Sequence, residues 1–273
     1  MSMAIVAALW VYHELPEPLK ITGHSLRNLD IKTALRLPED DHGVETIFSM
    51  ELVDTATAKS PAWASFVVSS VAQDSDEWTE HCAGLVRVEV SEPAKPDKMS
   101  TDLNSRYSDL RSWYKKFEAI GIGYGPTFQP LSDIRADPNQ NIATAKVALN
   151  TTAGTIEGGE SSYPLHPAAL DATFQLRLIA CHEGQVERAS TAFVPIHLSQ
   201  LYLKAGFDQD WGTAIARGRL QGLRGAYIKL QMLTKNGDVI LDLDTLRCIS
   251  YNESKSADRL ESKVFSSPFT RLA

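Results

Sequence analysis

The chain has 273 residues with 43% hydrophobic and 22% charged side chains, an ordinary globular composition long enough for one large domain or two packed halves. Its formal charge of −7 and the absence of any Lys/Arg run longer than Lys115-Lys116 argue against a nucleic-acid surface, which would show a basic stripe. Three widely spaced cysteines, Cys82, Cys181 and Cys248, suit a reducing, cytoplasmic compartment and point neither to a disulfide framework nor to a metal site.

The opening MSMAIVAALWVY has no Lys or Arg before Lys20 and is too short to span a bilayer. It is expected to be an amphipathic core helix that ends near His13, ahead of Pro16 and Pro18, rather than a signal peptide or membrane anchor. Strands are predicted over Leu29–Leu37, Val44–Val53, Trp63–Val71 and the segment 77–90, the last ending in the alternation Val86, Val88, Val90. Residues 92–101 then form a polar linker.

The pattern restarts with a helical period over Asp102–Ile120, where Leu103, Tyr107, Leu110, Trp113, Tyr114 and Phe117 recur at three and four. The run GIGYGP breaks it. Strands are predicted over Phe128–Ile134 and Ile142–Leu149, followed by a Gly/Thr/Ser-rich loop over 151–162 and a second helix from Pro167 to Cys181. Four more strands follow: Thr191–Leu203, Thr213–Leu220, Ala226–Leu233 and Val239–Tyr251. The last two are joined by Lys235-Asn236-Gly237-Asp238, a hairpin turn signal. The tail 253–273 reads as a linker. The expected fold is therefore α+β with two halves, 1–91 and 102–252, each setting a run of strands against a long helix.

The helix at 167–181 holds the candidate acid. Pro167 suits the first helical position, and His166 would be its N-cap. Asp171 and Gln175 are four apart and share a face, surrounded by Ala168, Ala169, Leu170, Ala172 and Phe174. A carboxylate in apolar surroundings has its pKa raised and can hold a proton near neutrality and donate it. The bland alternative is an acid that favours the helix dipole or faces water. Other constellations are thin. His81 and Cys82 are adjacent and so on opposite strand faces, Asp40-Asp41-His42 reads as a solvated loop, and the tryptophans Trp10, Trp63, Trp78, Trp113 and Trp211 read as core or rim residues.

Five segments, in order, resemble the dehydratase domain of polyketide synthases, especially the highly reducing fungal type: TEHCAGLVRVE (79–89), YGPTFQPL (124–131), YPLHPAALDATFQ (163–175), FVP (193–195) and SPFTRLA (267–273). The resemblance implies a double hotdog fold. It also implies elimination of water from a β-hydroxyacyl chain carried on an acyl carrier protein, with no metal and no cofactor. It assigns the proton-donating acid to Asp171 and its helper to Gln175. It places Tyr124, Gly125, Pro126 and Phe128 beside the substrate, together with His166, Pro167 and Phe174. The cap position gives His166 a structural role first.

The family's base lies in an HxxxGxxxxP motif ahead of its first helix. This sequence contains no such motif, and MSMAIVAALW aligns with that helix itself. Three readings follow. A redirected enzyme would use the tunnel and Asp171 for acid-assisted cyclisation, including closure of Diels–Alder type, or for isomerisation. A non-catalytic chain would partner a synthase or a second copy through an opened sheet edge. An ordinary dehydratase would continue upstream and downstream as part of a larger synthase.

Overall fold

The computed structural model describes residues 1–13, 20–35, 43–53, 62–71, 76–91, 96–101, 104–149, 163–222 and 224–251. The loop at 151–162, the triplet Asp40-Asp41-His42, residues 92–95 of the linker and the tail 253–273 with SPFTRLA lie outside the described residues, as does the side chain of Trp10.

Helix α1 (Ser2–His13) carries no charged residue and is apolar around its circumference rather than amphipathic, which corrects the expectation. Ala4, Ile5, Ala8 and Tyr12 are buried while Met3 is exposed, and the helix lies against β4 (Trp78–Glu89). The first strand, β1, spans Gly23–Ile31 rather than Leu29–Leu37. A bulge between Arg27 and Asp30, with Asn28 at φ 49°, breaks the alternation that would have revealed it. Asparagine is one of the few side chains that tolerate this left-handed geometry. Strands β2 (Glu45–Leu52) and β3 (Ala64–Val71) complete the N-terminal set.

The second half opens with the two-residue strand β5 (Arg106–Tyr107), and α2 spans Leu110–Ala119. The expected helix from Asp102 is corrected over the described residues, since 104–109 are not helical. Asp109 caps the helix, accepting from the Ser112 backbone N–H at 2.9 Å and from its hydroxyl at 2.6 Å. Tyr107 lies in β5 and only continues the helical period by coincidence, while Asp102 and Leu103 lie outside the described residues. After a short 3₁₀ turn at Pro126–Phe128 come β6 (Leu131–Ala136) and β7 (Ile142–Ala148), so the strand expected from Phe128 begins at Leu131. Helix α3 (Pro167–Cys181) has the expected bounds. It is followed by β8 (Ala192–Lys204), β9 (Trp211–Gln221), β10 (Gly225–Leu233) and β11 (Val239–Tyr251). The β10–β11 turn falls at the expected residues, with Gly237 at φ 82° and its N–H donating to the Thr234 carbonyl at 2.9 Å.

All the described strands join one eleven-stranded sheet in the order β2-β3-β4-β1-β8-β11-β10-β9-β7-β6-β5. The halves fuse where β1 pairs antiparallel with β4 on one side and β8 on the other. Leu26 and Leu201 face each other across that seam with essentially no exposure. Helix α3 is almost wholly buried against β7, β9 and β10. Its approach to β9 is close: a Cβ on Gly218 would lie 2.6 Å from Cys181 Sγ, so that strand position has to be glycine for the helix to sit there. On the opposite face, Met99 from the inter-half segment packs on Ile142, Ile215 and Leu233. Its N–H donates to Gln231 Oε1 at 2.7 Å.

Candidate active site

Helix α3 starts as its sequence demands. His166 is the N-cap, its Nδ1 accepting from the Ala168 N–H at 3.1 Å, and Pro167 occupies the first turn, where no N–H is needed. His166 therefore acts as a cap, with Tyr163 edge-on to its ring. One turn further on, Asp171 is half-buried and Gln175 is completely buried.

Gln175 is the hub. Its Nε2 donates to Asp171 Oδ2 at 2.8 Å and to the Phe128 carbonyl at 2.9 Å, while its Oε1 accepts from the Tyr114 hydroxyl at 3.2 Å. Turning the amide over would set an oxygen against a carboxylate and a carbonyl, so its three partners determine its orientation. The 3₁₀ turn after Tyr124 brings the Phe128 carbonyl to this point, whereas the Phe128 side chain is exposed. Gly125 and Pro126, the cap and first residue of that turn, are exposed as well. Tyr124 lies within an aromatic cluster, its ring edge-on to Tyr114 and Phe117 with centroids 6.3 and 5.6 Å away. Phe174 is buried and serves the site through its carbonyl.

That carbonyl accepts from Arg177, a residue the sequence reading passed over. Arg177 is 4% exposed, so it is a full charge in the core. It also donates to the Phe193 carbonyl from Nε at 3.2 Å and from the Nη2 nitrogen at 2.7 Å, so each of its three nitrogens has a carbonyl partner, as a buried charge requires. Tyr114 was likewise missed. It lies 61 residues away in sequence, with no local signal linking it to Gln175. For Arg177 a signal existed, a charge inside the apolar run LRLIAC, of the kind that marked Asp171.

These contacts set the acidity of the site. Burial raises the pKa of Asp171, while the Gln175 hydrogen bond and the Arg177 charge pull it partway back. Burial also pushes the Tyr124 phenol up to about 12, against the opposing pull of Arg177, which acts as charge and as hydrogen-bond donor. Tyr114 is raised as well, mainly by burial. The result is one carboxyl biased toward its protonated form, one oxygen held by Gln175 and two neutral phenols beside it. Such an arrangement can deliver a proton or a hydrogen bond to an oxygen.

The described histidines are engaged elsewhere or remote from this network. His81 bonds Ser70 and the Thr33 carbonyl, His197 pairs with Asp30 at 2.7 Å, and His182 caps the C-terminus of α3. Among the described residues no group of three or more His, Cys, Asp or Glu side chains is placed to hold a metal. No described helix is long and apolar enough to cross a membrane.

Comparison with known proteins agrees with the family resemblance. The model of the polyketide synthase dehydratase N-terminal domain matches residues 91–258. The chain is 52% identical over 272 residues to prosolanapyrone synthase of Alternaria solani, covering 100% of this chain and 10% of that protein. It is 52% identical over 275 residues to the highly reducing polyketide synthase xilA of Penicillium rubens, covering 99% of this chain and 11% of that one. It thus spans about a tenth of the length of these relatives. In structure it resembles the dehydratase domain from the CurF module of curacin polyketide synthase, with a TM-score of 0.72 at 19% identity over 92% of this chain and 82% of that domain. It also resembles the dehydratase domain of PpsC from Mycobacterium tuberculosis in complex with C12:1-CoA, with a TM-score of 0.68 at 18% identity over 91% and 83%. The fold is a double hotdog. The chain belongs to the polyketide synthase dehydratase family, and its relatives are fungal highly reducing synthases.

Proposed function

We propose that Asp171 is the proton donor in a dehydration of a β-hydroxyacyl chain delivered on an acyl carrier protein. The observation that carries this reading is the carboxyl raised by burial and held through one oxygen by a fully buried glutamine. In the reaction the acid protonates the departing β-hydroxyl, which leaves as water. A base removes the α-proton, and the Cα–H electron pair becomes the new double bond. Gln175 orients the acid. The Tyr124 phenol, which burial keeps neutral, has an O–H to donate to a substrate oxygen. No cofactor or metal enters this scheme.

A second reading is favoured by one further observation. The sequence carries no HxxxGxxxxP, and no described histidine hydrogen-bonds to Asp171. Acting by itself, the chain would then bind a polyketide and promote cyclisation or isomerisation with Asp171 as acid or hydrogen-bond donor. Holding reacting carbons together is worth of order 7–11 kcal/mol in the best intramolecular cases, and ring closure of Diels–Alder type needs no base.

One experiment separates these. The chain, with and without Asp171→Asn, is co-expressed with the polyketide pathway that supplies its substrate, and products are profiled by mass spectrometry. An Asp171-dependent product lighter by one water is the expected outcome for dehydration. An Asp171-dependent product of unchanged mass but altered retention establishes the second reading. Products indifferent to Asp171 would sink both and leave a structural role beside a synthase or a second copy.

A further inference from the structure

A groove of about 520 Å³ opens on the outer face of the C-terminal strands, and neither Asp171, Gln175 nor Tyr124 lines it. It sits on the side of the sheet away from α3. Gly218 points its missing side chain at Cys181 of the helix, so its neighbours Arg217 and Arg219 point outward. The groove is lined by both arginines, by Tyr227 and Lys229 of β10, and by Asp244 at the bulge of β11.

Strand register makes this a concentration of like charge. Arg217 is directly opposite Lys229 across β9 and β10. In the next row out on the same face, Arg219 is opposite Tyr227, which is opposite Arg247 of β11. Directly opposed residues have Cβ atoms about 4.5–5.5 Å apart, and like charges in that relation destabilise a sheet. Among the described residues none of these four cations has an ion pair. The single carboxylate on the groove, Asp244, accepts instead from its neighbour Thr245 at 3.3 Å. Three cations against one acid line this concavity in a chain whose formal charge is −7. A sheet that sets cation against cation in a concavity is preorganised for an anion.

The shape narrows the ligand. The volume lies in the range of roughly 300–1,000 Å³ typical of small-molecule sites. The cations converge from two adjacent strands on one hollow. Arginine's planar fork bonds phosphate oxygens in pairs, and lysine adds a point charge. We propose that this groove binds a multiply charged phosphate group, held by Arg217, Arg219 and Lys229. The phosphate is borne either by a free small molecule or by a modified side chain of another protein.

The test uses inorganic pyrophosphate titrated into the chain by calorimetry at low salt. Saturable binding that weakens as salt rises is expected, together with at least a tenfold loss of affinity in Arg217→Ala and in Lys229→Glu. Lys229→Glu also carries a second readout. By relieving the conflict with Arg217, it should raise the melting temperature of the unliganded chain while abolishing binding. A phosphoserine peptide that binds more tightly than pyrophosphate identifies a protein-borne phosphate, and one that binds more weakly identifies a free ligand. The proposal is overturned if Lys229→Glu leaves pyrophosphate affinity unchanged or lowers the melting temperature. It is equally overturned if hexaglutamate binds as tightly as pyrophosphate.

Discussion

Gln175 holds Asp171 through a 2.8 Å hydrogen bond along one face of α3, and the same amide nitrogen reaches the Phe128 carbonyl. Asp171 is therefore tied through Gln175 to the turn that follows Tyr124, so its position depends on a residue from outside its own helix. Gln175→Leu keeps the bulk but removes both donors. We expect activity to fall about tenfold to a hundredfold, at or below the low end of the roughly 10² to 10⁴ ascribed to general acid catalysis, because the carboxyl itself remains. The Phe128 carbonyl loses its partner, at a cost of about 1–3 kcal/mol. Steady-state kinetics and urea melts of the same variant check both. Unchanged kinetics would remove Gln175 from the site.

Asp171→Asn separates function from stability. The folded pKa of Asp171 is raised above its unfolded value, so the fold binds that proton more tightly than the unfolded chain does. Its burial costs nothing well below the ordinary aspartate range and costs stability once pH rises through the folded pKa. The asparagine variant escapes this cost. Its melting temperature relative to the wild type should climb as pH is raised from about 4 toward neutrality, while the reaction slows by about 10² to 10⁴. A relative stability that falls with rising pH would show the carboxylate to be stabilised in the fold.

Arg177 tunes the acid through its charge. It lowers the pKa of Asp171 against burial, so Arg177→Met should raise that pKa further. Activity that needs protonated Asp171 falls as pH rises through its pKa, and this limb should move to higher pH in the variant. A merely structural role would lower the rate without moving the limb. The Phe193 carbonyl also loses a bidentate donor, so destabilisation of about 2–4 kcal/mol is expected, and Arg177→Lys should not fully restore it.

His24 is expected to contribute to the acid sensitivity of the fold. It lies on β1 at the seam between the halves, 1% exposed, and neither ring nitrogen has a hydrogen-bond partner among the described residues. Burial pushes its pKa down to about 4, against the raising influence of Glu89 and the Leu203 backbone. A lowered histidine pKa means that the unfolded chain takes up the proton first. Stability is therefore lost as pH falls from about 6.5 to about 4, by on the order of 3 kcal/mol. His24→Leu should flatten that part of the urea midpoint against pH profile and leave the neutral fold at least as stable. An unchanged slope would place the acid sensitivity elsewhere.

How much of this was legible in the sequence depended on whether the signal was local. Helix α3 could be delimited because its start is written in His166-Pro167 and its interior in a largely apolar stretch with no Gly or Pro beyond the first turn. The shared face of Asp171 and Gln175 followed from a spacing of four, and their expected roles from the resemblance of the motif around them. The β10–β11 hairpin followed from Asn-Gly. Where a local signal was disturbed the reading slipped. The bulge at Asn28 hid β1, and Leu103 and Tyr107 extended the apparent period of α2 beyond the Asp109 cap.

The sequence by itself determined the family, the halves' element types and the pair Asp171–Gln175, because motifs, caps and periodicities act over a few residues. Only the tertiary structure decided that Tyr114 and the Phe128 carbonyl complete the hydrogen bonds of Gln175 and that Arg177 spans the carbonyls of Phe174 and Phe193. It alone set Arg217 against Lys229 on the outer face. Those relationships join strands and helices far apart in the chain. They arise from strand register and from the close seat of α3 on β9, which no spacing within one segment encodes.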